Sequence, residues 1–138
     1  MKITALLLFL GLTGVLFAQD PVADRLQIAR DQNALQAKQM LVQSFLEKQP
    51  RLTEAISDGD LESAAIMKEE ILELMDQQIA EGNSWVAADK GQTEPLERLK
   101  AIREKLAQFP ADAMGAEKAS EAGNLVTEFV ALMGRMPF

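Results

Sequence analysis

The sequence predicts an all-α protein: an antiparallel helical bundle of four main helices plus one short helix, following an N-terminal signal peptide. Three observations carry that expectation. Apolar residues recur at helical spacing along most of the chain, no stretch alternates apolar and polar residues as a half-buried strand does, and short turns built on Gly, Pro and Asp separate the periodic segments. The chain has 138 residues, 48 % apolar and 25 % charged, which is the balance of one folded domain rather than of a disordered segment.

The first element is the leader. Met1-Lys2 is a short positive region, Ile3 to Phe17 is apolar, and Ala18 precedes polar Gln19-Asp20. That order is the layout of a secretory signal, expected to be cleaved after Ala18, with residues 19–138 forming the mature domain. The apolar run is shorter than the ~20 residues a bilayer span needs, and acidic residues follow it, so no stable membrane span is expected after cleavage.

Pro21 to Lys48 reads as one long helix, with Asp20 as its N-cap and Pro21 at the first position, where a missing N–H is tolerated. Val22, Leu26, Ala29, Ala37, Met40, Leu41 and Phe45 fall on one broad stripe. A second line, Ile28, Leu35 and Val42 at heptad spacing with Leu46, suggests neighbours on two sides, and Gln32, Gln36, Gln39 and Gln43 lie between the lines. Gln49-Pro50 is expected to end this helix, since a residue before proline is pushed from the α region. Residues 51–57 then form the short helix.

Asp58-Gly59-Asp60 turns the chain, and Asp60 caps a helix over residues 61–81 whose apolar face holds Leu61, Ala64, Ala65, Met67, Ile71, Leu72, Met75 and Ile79. Gly82-Asn83 reads as its stop. Residues 84–93 are the least patterned and hold the only tryptophan, Trp85. Pro95 opens a helix over 96–108, with Leu99, Ile102, Leu106 and Phe109 inward. The last helix is expected from Asp112 to Met133, its wide face carrying Met114, Ala119, Ala122, Leu125, Val126, Phe129, Val130, Leu132 and Met133.

The composition narrows the function more by exclusion than by motif. The chain lacks Cys, His and Tyr, so it offers no thiolate, no imidazole base and none of the commonest transition-metal ligands. With no catalytic motif, an enzyme is not expected, and no cofactor or metal is assigned. The net charge of −7 argues against nucleic acid as a partner. Export without cysteine points to a bacterial periplasm or to secretion.

Asp58-Gly59-Asp60-Leu61-Glu62 invites a calcium-loop reading, but Ser63 stands where such a loop needs its turn glycine, and the helical pattern runs through it. Glu69, Glu70 and Glu73 lie off the apolar stripe and read as a solvated face. Three cations stand out instead. Lys68 falls near the middle of its helix's apolar stripe, and Arg30 and Lys118 hold similar positions on the first and last helices. A buried, unpaired cation is costly, so each must reach water, pair with an acid or meet a ligand. With Trp85, they are the candidate ligand or partner contacts. The expected function is therefore a non-catalytic exported bundle acting by protein–protein interaction or self-association, its partner an unknown protein or a second copy. The alternative is a small-anion carrier that uses the basic residues on its apolar faces.

Overall fold

The structure, a computed structural model, describes residues 21–88 and 90–137. The expected signal peptide, residues 1–18, and the expected N-cap Asp20 lie outside the described residues. Four α-helices follow in order: α1 (Pro21–Asp58), α2 (Leu61–Ala88), α3 (Thr93–Ala107) and α4 (Ala116–Gly134), with a 3-10 turn, Lys90–Gln92, between α2 and α3. Among the described residues there is no strand, and the helical bundle stands as predicted. The chain divides into two units, at Ala37–Lys38.

In the first unit, described from residue 21, α1 buries none of its described side chains, and Val22, Leu26 and Leu35 are each more than half exposed. The broad inward stripe expected here is therefore outward at Val22 and Leu26. The apolar periodicity specifies a helix, but periodicity by itself names no neighbour.

The second unit holds the core. Phe45, Leu52, Ala55 and Ile56 of α1 meet Ile71, Leu72 and Met75 of α2, Leu99, Ile102 and Leu106 of α3, and Ala122, Val126, Phe129 and Met133 of α4. The Phe45 and Phe129 rings stand 5.5 Å apart and tilted by 46°, within the favoured range for aromatic pairs. Polar pins join the helices around this core. Gln49 Nε2 donates to the Gly123 carbonyl at 2.8 Å and to Thr127 Oγ1 at 2.7 Å. Arg103 forms a two-point pair with Asp76, at 3.0 and 3.3 Å. Lys38 donates to the Met136 carbonyl, and burial lowers the Lys38 ammonium's pKa.

Four boundaries differ from expectation, the smallest being the start of α3 at Thr93 rather than Leu96. The first helix does not stop at Gln49-Pro50; residues 51–57 continue it, so there is no separate short helix. Proline removes the hydrogen bond to the carbonyl four residues back, but Leu46 and Pro50 are both exposed, so the loss falls on the solvent side of the helix. Meanwhile Phe45, Leu52, Ala55 and Ile56 can share one buried face only if the helix is unbroken. Met40, 71 % exposed, lies off that face.

Likewise, α2 runs through Gly82-Asn83 to Ala88. Gly82 is buried on the line of Ile71, Met75 and Gln78, so it lets the helix pack rather than stop. The last helix begins at Ala116 instead of Asp112, because Gly115 adopts φ +96°, a conformation that ends any helical run. Met114, expected inward, is 56 % exposed in the turn before it.

Candidate functional site

The turn from α1 to α2 fixes the position of Lys68. Gly59 takes φ +77°; its N–H donates to the Ile56 carbonyl at 3.2 Å, and that of Asp60 to the Ala55 carbonyl at 2.9 Å. Those two bonds close the end of α1 as a Schellman motif. The Ile56 carbonyl also accepts from Gly115 N–H at 3.0 Å, tying the start of α4 to the same corner. Asp60 then caps α2. Its carboxylate accepts the Ser63 N–H at 3.2 Å and the Ser63 hydroxyl at 2.8 Å, and those bonds hold its pKa below the ordinary value.

Two turns into α2, Lys68 reaches the C-terminal end of α3. Its Nζ lies 3.2 Å from the Phe109 carbonyl and 3.5 Å from that of Ala107, both at the C-terminal end of α3. Carbonyls there have no intrahelical donor and carry the negative end of the helix dipole. The ammonium is half-buried and satisfied by backbone. Beside it, Leu52, Ile56, Ala64, Leu106 and Ala113 line a cavity of about 30 Å³, room for a water or two and not for an organic anion.

The other sequence-picked residues stand apart from this corner. Lys118 is exposed on the first turn of α4 and pairs with Glu121 at 3.2 Å. Arg30 is exposed on α1 in the first unit. Trp85 lies in the last turn of α2 rather than in a connection, half-buried against the core. Glu69 and Glu73 are exposed, while Glu70 pairs with Lys48 at 3.3 Å. Among the described residues no group of three or more acidic side chains is placed to hold a metal, and no helix is long and apolar enough to cross a membrane.

A larger concavity, with no motif in the sequence to mark it, lies between α3 and α4. Arg98, Ala101, Ile102 and Lys105 face Arg135, Leu132, Ala131 and Glu128 across an open groove of about 390 Å³. The pairing runs in opposite directions along the two helices, as in an antiparallel hairpin. Three cations and one acid rim an aliphatic floor in a chain whose net charge is −7. The only signal in the sequence is the seven-residue spacing of Arg98 and Lys105, which means little until α4 is known to lie alongside. Comparison with protein-family models, with curated proteins and with solved structures finds no match to this chain.

Proposed function

We propose that the mature chain is an exported, non-catalytic interaction protein of the bacterial envelope that associates with a second copy of itself through the first unit of α1. The observation that carries this reading is the exposure of that segment: Val22, Leu26 and Leu35 are 62, 52 and 55 % exposed, and no described side chain between residues 21 and 37 is buried. A helix gains most of its stability by burying an apolar face, and here Val22, Leu26 and Leu35, drawn from both apolar lines, are more than half exposed. Charge supports a like partner. Asp24 and Asp31 balance Arg25 and Arg30, so this segment meets its copy without the repulsion that the rest of an acidic molecule generates. The leader of residues 1–18 supports export, and the absence of Cys, His and Tyr supports a role without catalysis.

Sedimentation velocity on the chain beginning at Gln19 tests the reading. Dimers or larger species at micromolar concentration are expected, with association markedly weakened in Leu35→Glu and the far-UV spectrum unchanged. A wild-type chain that stays monomeric to high concentration overturns it.

A further inference from the structure

The groove between α3 and α4 and the outward face of α2 are complementary in three respects. The first is charge. Arg98, Lys105 and Arg135 line the groove against Glu128 alone. Lys105, Arg135 and Glu128 make no ion pair within the described residues, and Arg98 makes only a 3.5 Å contact with Glu94, its side chain 67 % exposed. Such an exposed pair is weak and easily exchanged. On α2, Glu62, Glu69 and Glu73 are exposed on one face and enter no ion pair among the described residues.

The second respect is apolar surface. Ile66 stands in the middle of that acidic face, 53 % exposed, where the bundle gives it no role. The groove floor of Ile102, Leu132, Ala101 and Ala131 is the aliphatic surface it lacks. The third is spacing. Glu62, Ile66 and Glu69 follow one another at intervals of four and three residues, and so do Arg98, Ile102 and Lys105. At 1.5 Å per residue each charged pair spans about 10 Å, with the isoleucine between. The groove is also open, and Ile102 is its one buried lining residue. A small anion there would leave most of its surface in water, whereas a helix laid along the groove covers floor and rim together.

We propose that a second copy of this chain seats the Glu62–Ile66–Glu69 face of its α2 in the groove between α3 and α4. The two surfaces are different patches of one molecule, so the contact is head-to-tail. Unless a rotation closes it, it propagates into longer assemblies. It is separate from the α1 contact proposed above and does not rest on it.

The test uses charge reversal in the full mature chain carrying Leu35→Glu, so that any α1 contact is already removed. Light scattering and sedimentation velocity are expected to show a concentration-dependent series of oligomers. Arg98→Glu with Arg135→Glu, and separately Glu62→Lys with Glu69→Lys, should each lower the association constant at least tenfold. The acidic-face variant is the telling one. It makes the net charge less negative by four, so relief of general repulsion would strengthen association, while loss of the interface weakens it. All four changes together restore the net charge and should restore association. Unchanged association in either reversed variant, stronger association in the acidic-face variant, failure of the fourfold variant to recover, or a Leu35→Glu chain that is strictly monomeric overturns the groove proposal. A Leu35→Glu chain that associates as well as wild type overturns the α1 reading alone.

Discussion

Lys68 occupies the stripe of α2 that faces the core, and helical spacing shows that much. Its partners do not belong to its own helix: they are the carbonyls of Ala107 and Phe109, exposed by the end of α3 some forty residues away. Replacing Lys68 with Met removes those bonds and leaves the carbonyls without a donor beside a small apolar cavity. A loss of about 1 kcal/mol is expected in urea unfolding, with Lys68→Arg keeping part of it. A gain in stability for Lys68→Met would mean that the corner prefers a fully apolar lining. Asp60 makes the opposite case, since its role is local and was legible from its place before Leu61. The Ser63 bonds depress its pKa in the fold. Their contribution is therefore complete above the unfolded carboxyl's pKa, near 4, and is lost as pH falls through the lower folded value. Asp60→Asn caps without titrating. Thermal melts of wild type and Asp60→Asn should run parallel above pH 5 and diverge below pH 4, the wild type falling further. Parallel curves to pH 2.5 would deny Asp60 that role.

At the scale of elements, the existence and order of the helices were readable, and the breaks were less so. Pro50 and Gly82 are the two strongest local stop signals inside helices, and both are overridden by the faces they belong to. The buried line of Phe45, Leu52 and Ile56 runs past Pro50, and the line of Met75 and Gln78 runs past Gly82 toward Trp85. Gly115 succeeds as a boundary because it takes a positive φ, which Gly82 inside its helix does not need. Pro50 still lacks an N–H for the Leu46 carbonyl. Pro50→Ala should restore that bond and raise stability by about 1–3 kcal/mol, seen as a higher urea midpoint with slightly greater helical ellipticity. A lower midpoint would show that the proline's local geometry is needed to bring Phe45 and Leu52 onto the same core. The α3–α4 groove illustrates the complementary limit: its cations come from two helices, and only the hairpin brings Arg98 alongside Arg135.

At the scale of the whole molecule, stability and surface chemistry are divided along the chain. Every buried apolar side chain among the described residues lies between Phe45 and Met136, within the second unit. The net charge of −7 also belongs there, because Lys2 offsets Asp20 and the charges of residues 21–37 cancel. The described part of the first unit, residues 21–37, contributes no buried side chain and no net charge, but helix and exposed aliphatic surface. A chain beginning at Lys38 should therefore fold by itself, keeping the Lys38 bond to the Met136 carbonyl and the whole cluster around Phe45 and Phe129. At low concentration its melting temperature is expected within a few degrees of the mature chain's, since terminal residues outside a core add little to cooperative unfolding. At higher concentration the two should separate. Anything that associates only in the folded state stabilises it by mass action, so the mature chain's melting temperature should climb with concentration by more than that of the shortened chain, which lacks the α1 contact. Equal concentration dependence in both would place all self-association in the second unit, and a broad, non-cooperative melt of the shortened chain would show that residues 21–37 support the core after all.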